Sequence, residues 1–199
     1  MVPILLATTP GVVTAGSHDA VIYQAAVSRS LLEQGLSSTT FERGLKAFVA
    51  GRHGEAIDLW RPLAETGHVQ AQYNLGIAYS RGTGVAPDIH LAIDWWERAG
   101  RQGYRDALFN LGLTYSTGFG VPKDESRAAK WWLQAAELGD AVAQYQIGKM
   151  YARGEGLPQN TDLAIQWWQK SAASGFDKAA RLLDKLAAGN YINKTVVTD

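Results

Sequence analysis

The sequence predicts an all-α solenoid of two-helix repeats, and three observations carry the prediction. The first is an interval. Ala71-Gln-Tyr-Asn-Leu-Gly76 returns as Ala107-Leu-Phe-Asn-Leu-Gly112 and as Ala143-Gln-Tyr-Gln-Ile-Gly148, each copy 36 residues after the last. The second is that landmarks outside this segment keep the same interval: Tyr79, Tyr115 and Tyr151, then Gly82, Gly118 and Gly154, then Gly84, Gly120 and Gly156, then Trp95-Trp96, Trp131-Trp132 and Trp167-Trp168. The third is that the apolar positions inside each copy follow helical spacing. A two-helix unit that cannot bury its apolar face alone stacks on its neighbours, and the product is an extended surface rather than a closed catalytic cavity.

The N-terminal residues 1–17 carry no charged side chain and hold the apolar run Val2 to Ala7, followed by Pro10-Gly11 and the small residues Ala15-Gly16. A secretory signal joins a basic start to an apolar middle and a small-residue cleavage site, and the basic start is missing. Two readings stand: a signal-like segment without its start, or a loose apolar arm. Export to the periplasm is preferred over a cytoplasmic location. Within residues 18–40, Ala20 to Leu36 is expected to form a helix, with Ser17 as its cap and Gly35 as its stop. Residues 41–70 form a shortened unit, in which Ala56, Trp60 and Gly67 stay in register with Ala92, Trp96 and Gly103. Its inter-helix turn is expected to be tight.

The full repeats span 71–106, 107–142 and 143–178. In the first, Ala71, Leu75, Ala78 and Tyr79 make the apolar stripe of a first helix, A, which Gly82-Thr-Gly84 stops. Val85 plugs the apolar end of the hairpin. Asp88 stands where the second helix, B, needs an N-cap, and Asp124 and Asn160 hold the same place in the later copies. Ala92, Trp95, Trp96 and Ala99 make the buried stripe of helix B, and Gly103 ends it. Gly76 and Ala92 are expected to let the two backbones approach while the tryptophans fill the remaining volume. Recurrence at helical spacing assigns the paired tryptophans to the core rather than to an aromatic ligand cage. In the last segment, 179–199, Ala179, Leu182, Leu183, Leu186 and Ala187 restart a helix A, but Asp184 replaces the glycine and no helix B follows. This reads as a terminal cap with Arg181 and Lys185 facing water.

Ala71-Gln-Tyr-Asn-Leu-Gly76, Tyr79, Gly82-x-Gly84-Val85, Ala92-x-x-Trp95-Trp96 and Gly103 together resemble the Sel-one-like repeat (SLR) family, a branch of the tetratricopeptide-repeat superfamily. The resemblance covers Ala71 to Lys178. It implies a right-handed α/α superhelix that serves as a scaffold or adaptor for protein–protein interactions, often in bacterial envelope, secretion or signalling assemblies.

Composition narrows the function classes. Nineteen basic residues balance nineteen acidic ones, which removes the basic field that binding to nucleic-acid backbones needs. There is no cysteine, hence no disulfide framework and no sulfur metal site. No segment approaches the length of a membrane span. His18, His53, His68 and His90 fall at no recurring position and no metal-ligand spacing, and they read as surface residues. Glycines end helices rather than follow strands, so no phosphate loop is formed. No catalytic residue, cofactor or metal is expected, and enzyme activity, such as on cell-wall material, is the least favoured reading. Asn193-Lys-Thr195 matches a glycosylation acceptor, a pattern that arises often by chance.

What remains is the stripe of helix A that does not serve the core. Tyr73, Ile77 and Ser80 recur as Phe109, Leu113 and Ser116 and as Tyr145, Lys149 and Ala152, with Asn74 and Arg81, Asn110 and Thr117, and Gln146 and Arg153 beside them. The resemblance implies that this stripe lines a concave groove and that the amides of Asn74 and Asn110 hold a peptide backbone; Gln146 keeps the amide with a longer reach. The alternative is that the asparagines serve contacts inside the protein. Apolar Ile77 and Leu113 beside basic Arg81, Lys149 and Arg153 suit a partner segment with an apolar anchor and acidic neighbours. The expected function is therefore a non-enzymatic adaptor, with a structural subunit of an envelope or secretion assembly as the alternative.

Overall fold

The computed structural model describes residues 40–188. The apolar arm, the helix expected over Ala20 to Leu36 and the Asn193-Lys-Thr195 sequence lie outside them. All regular structure among the described residues is helical: α1 (Thr40–Val49), α2 (His53–Glu65), α3 (Val69–Arg81), α4 (Ile89–Arg101), α5 (Arg105–Thr117), α6 (Glu125–Glu137), α7 (Ala141–Arg153), α8 (Thr161–Ala173) and α9 (Asp177–Ala187). Each helix packs on the one before it and the one after it, so the chain is a linear stack of hairpins closed by α9. The α1–α2 turn spans only residues 50–52, whereas the later turns within hairpins span 82–88, 118–124 and 154–160. No described helix is long and apolar enough to cross a membrane.

Local chemistry sets the helix ends. The B helices start where Asp88, Asp124 and Asn160 accept main-chain N–H groups of the first turn; Asn160 Oδ1, for example, lies 2.9 Å from the Leu163 nitrogen. The A helices begin ahead of the Ala71 register. His68 Nδ1 accepts the Ala71 N–H at 3.3 Å and Asp140 Oδ1 accepts that of Ala143 at 2.7 Å, while Tyr104 in the same place makes no side-chain cap. His68 also stacks on Phe41 with ring centroids 4.7 Å apart, so this histidine is a half-buried structural residue rather than the surface residue expected. The A helices stop at Gly82, Gly118 and Gly154, each left-handed with φ near 70°, where only glycine escapes the Cβ clash. Gly156 in the following turn lies against the Glu125 backbone with no room for a β-carbon, which seats the turn of one hairpin on the start of the preceding B helix.

The core is organised by one contact repeated four times. Gly44, Gly76, Gly112 and Gly148 face the indoles of Trp60, Trp96, Trp132 and Trp168, and a β-carbon at any of the four would overlap the Nε1–Cδ1 edge of the ring. Trp60, Trp132 and Trp168 donate Nε1–H to the carbonyls of Phe41, Phe109 and Tyr145 at 3.1–3.2 Å, each three residues before its glycine. The glycine makes room for the indole edge itself, a closer contact than the expected approach of the two backbones with tryptophan filling the remaining volume. The ring edge must come within hydrogen-bond reach of the A-helix main chain, and an intervening side chain prevents that. A second correction concerns the pairs. The second tryptophan is buried in every copy, but Trp131 and Trp167 are only half-buried, and Lys170 Nζ sits 4.2 Å above the Trp167 ring.

Hairpins join through smaller contacts. Gln72 and Gln144, both buried, donate Nε2–H to the carbonyls of Ala64 and Ala136 at 2.9 and 3.0 Å. The middle copy has Leu108 in that place, and it packs on Gly100, where a β-carbon would come 2.8 Å from Leu108 Cδ2.

The indole–glycine contact makes a coupled prediction. Gly112→Ala should destabilise by about 1–3 kcal/mol through overpacking, and Trp132→Ala by about 3–5 kcal/mol through loss of a buried aromatic. In the double variant the clash has no partner, so the two losses should sum to less than their total in a urea-unfolding cycle. Additive losses would show that the two residues do not meet.

Candidate partner-binding face

The stripe singled out in the sequence lies on α3, α5 and α7, one turn apart along each helix. Its exposure is graded. On α3, Tyr73 and Ile77 are buried and Arg81 is half-buried; on α5, Phe109, Asn110 and Leu113 are half-buried; on α7, Tyr145, Gln146, Lys149 and Arg153 are half-buried. The first copy is thus largely closed over and the next two remain open.

The amides behave differently from one another. Asn74 is 3% exposed, and its Nδ2 has no hydrogen-bond partner among the described residues. Asn110 meets the Tyr73 phenol of the preceding helix A. The register places Phe41 opposite Asn74 as it places Tyr73 opposite Asn110, and Phe41 has no hydroxyl to offer. Asn74 is shut away from solvent, whereas Asn110 is half-buried beside the Tyr73 phenol.

Tyr73 packs against Tyr104 with the rings tilted by 45° and their centroids 4.9 Å apart, beside a small charged group that the sequence did not single out. Arg105 Nε lies 3.8 Å from Asp106 Oδ1 and 3.7 Å from Asp140 Oδ2. Burial, with the Asp106 charge behind it, pushes the Tyr73 phenol far above its ordinary range and the Tyr104 phenol up to about 12. Partial desolvation raises the Asp106 carboxyl, Arg105 opposing and Asp140 assisting. Sequence spacing could not find this group, because the positions that hold Tyr104 and Asp106 hold unrelated residues in the other copies, such as His68 and Gln70 or Asp140 and Val142.

At the other end of the face Lys149 Nζ lies 6.0 Å above the Tyr145 ring. Burial first, then Arg153, hold its ammonium below the usual lysine range, with Lys178 adding to the effect and Glu155 opposing it. Arg153 is tied to Glu155 at 3.6 Å. Arg81 is likewise partly desolvated, and neither Arg81 nor Lys149 has an ion-pair partner among the described residues. Partly desolvated cations without an ion-pair partner favour an incoming carboxylate. Among the described residues no three His, Asp or Glu side chains gather as a metal site.

The raised phenols fix a pH dependence. Both folded values lie above the unfolded value of about 10, so the stability they contribute is intact below that pH and is lost as pH rises toward the folded values. Urea midpoints should fall from about pH 9 to about pH 11, and Tyr73→Phe with Tyr104→Phe should flatten that fall. An equally steep fall in the double variant would assign it to other groups.

Among solved structures, a Sel1 repeat protein from Oxalobacter formigenes is 31% identical, with a TM-score of 0.66 over 70% of this chain and 57% of that one. A protective antigen present in uropathogenic Escherichia coli strains, displaying an SLR fold, is 30% identical, with a TM-score of 0.69 over 83% of this chain and 36% of that one. The chain thus spans little more than half the length of the first and about a third of the second. No curated protein matches it. The Sel1 repeat model matches residues 69–104, 105–140 and 141–176, three consecutive units that take in more than half of the sequence and carry every indole–glycine contact except that of the shortened unit. The chain belongs to the Sel1 repeat family.

Proposed function

We propose that the chain is a non-enzymatic scaffold that binds a segment of another protein along the A-helix face, which in a right-handed superhelix of this class lines the concave side. Sel1 repeat proteins are in general protein-interaction scaffolds, and the reading here adds the chemistry of the segment. One observation carries it: half-exposed Phe109, Leu113 and Tyr145 form an apolar row, bracketed by Arg81 and Lys149, two partly desolvated cations without ion-pair partners among the described residues. An apolar anchor on Phe109 and Leu113 with acidic neighbours toward Arg81 and Lys149 meets both demands. Because part of the desolvation of these cations is already incurred in the free protein, a carboxylate gains more beside them than beside a fully hydrated lysine.

Peptides selected from a random library on the intact chain should carry a large apolar residue next to Asp or Glu. Reversing Arg81 and Lys149 together to Glu should weaken a selected peptide about tenfold or more, with the larger effect at low salt and no change in helix content. If affinity survives both that reversal and Leu113→Glu, the peptide binds elsewhere and the reading is lost.

A further inference from the structure

A cleft of about 330 Å³ lies between α4 and the start of α6 and shares no residue with the A-helix face. Ile93, Val121 and Tyr115 line its apolar part. Tyr115 is 8% exposed, and its hydroxyl, which opens to the cleft, makes no hydrogen bond among the described residues. The copy one interval earlier shows what that hydroxyl lacks. Tyr79, also 8% exposed, receives a hydrogen bond from Arg61 Nη1 at 3.0 Å. Arg61 directly follows Trp60, and the residue that directly follows Trp96 is Glu97, which turns to Arg101 at 3.7 Å instead. In the last copy the position is Leu133 and Tyr151 is only half-buried. Only the middle copy keeps the buried tyrosine while losing the guanidinium.

The charges around the cleft decide what would replace it. Arg127 lies 5.3 Å over the Tyr115 ring and is held by Asp124 at 3.2 Å, and Lys123 is held by Glu125 at 2.6 Å. These cations are already matched. Asp94 is exposed on the rim and has no ion-pair partner among the described residues. The unmatched groups are therefore a carboxylate, which accepts, and a phenol hydroxyl, which can accept as that of Tyr79 does from Arg61. A forked donor serves both at once, which distinguishes a guanidinium from an ammonium.

We infer that the α4–α6 cleft receives an arginine side chain from a partner protein, its guanidinium donating to the Tyr115 hydroxyl and the Asp94 carboxylate while its stem lies on Ile93 and Val121. The site is independent of the A-helix face, since it asks for a cation where that face asks for an anion.

The test uses the intact chain in NMR titrations with three blocked tripeptides, Gly-X-Gly, in which X is arginine, citrulline or glutamate. The arginine peptide should shift the Tyr115 and Asp94 signals saturably, and citrulline, which keeps the shape and loses the charge, should bind about tenfold more weakly or worse. Asp94→Asn should weaken the arginine peptide toward the citrulline level. Glu97→Arg, which restores the residue found after Trp60, should fill the cleft from within and abolish the response at unchanged helix content. Equal binding of citrulline, preference for the glutamate peptide, a response that survives Glu97→Arg, or no shift at Tyr115 with any peptide each overturns the assignment; preference for glutamate would mean that Lys123 and Arg127 govern the cleft.

Discussion

The structure depends on an indole edge pressed against a glycine. In every described hairpin the B-helix tryptophan reaches across to the A helix at a point where the backbone carries no side chain, and in three of the four its N–H finds a main-chain carbonyl there. One residue thus supplies the largest buried surface in the hairpin and a directional bond that fixes where along helix A it sits. Helix separation, register and the demand for glycine follow from the same contact. A leucine in place of the indole fills part of the volume but cannot choose a register, and an alanine in place of the glycine pushes the ring off its carbonyl.

Between hairpins the constraint is looser, and the copies show two solutions. Gln72 reaches back to the Ala64 carbonyl while Gln102 donates to Gln72 Oε1 at 2.8 Å, and Gln144 reaches the Ala136 carbonyl while Ser174 donates to Gln144 Oε1 at 3.3 Å. In the middle copy the same places hold Leu108 and Leu138, and Leu108 packs on Gly100 where the others have alanine. The apolar swap is made at three positions together, because a leucine in a site built for a flat amide needs the volume of a missing methyl group. Two buried nitrogens fit neither scheme. Asn74 Nδ2 and Trp96 Nε1 lack partners among the described residues, and both belong to the α3–α4 hairpin, which abuts the shortened unit. A buried donor left unmade costs about 1–3 kcal/mol, so this hairpin carries strain that its copies avoid.

The repeats, the hairpin order and the B-helix caps were legible in the sequence because each rests on local chemistry that recurs: glycine for a left-handed stop, Asp or Asn for an orphaned N–H, aromatic spacing for a buried stripe. The partner of each glycine was not legible, since the spacing shows that Gly76 and Ala92 are both small without showing that an indole edge fills the space beside Gly76. Nor could spacing separate the roles of Asn74 and Asn110. Their surroundings depend on the residue one interval earlier, a tyrosine for one and a phenylalanine for the other. The α4–α6 cleft was the hardest to foresee, because its signal is a missing arginine. The comparison of Arg61, Glu97 and Leu133 would have exposed it, had those positions been read against Tyr79, Tyr115 and Tyr151.

Because the indole–glycine contact holds each hairpin together by itself, positions away from it are free to differ between copies without loss of fold. Two sets of those differences bear on surface chemistry. One set runs along the A helices, where Ile77, Leu113 and Lys149 share a position; the other surrounds the cleft, where Leu91, Arg127 and Leu163 share one and Arg61, Glu97 and Leu133 another. Along the first, unmatched charge is positive, at Arg81 and Lys149; at the second it is negative, at Asp94. Nineteen charges of each sign leave the whole chain without net charge, so the contrast between the two surfaces is local. An acidic segment that suits the first surface is repelled at the rim of the second, and an arginine that suits the second is repelled along the first. On the two proposals above, the surfaces make opposite demands, which favours two different segments over a single one wrapped around both.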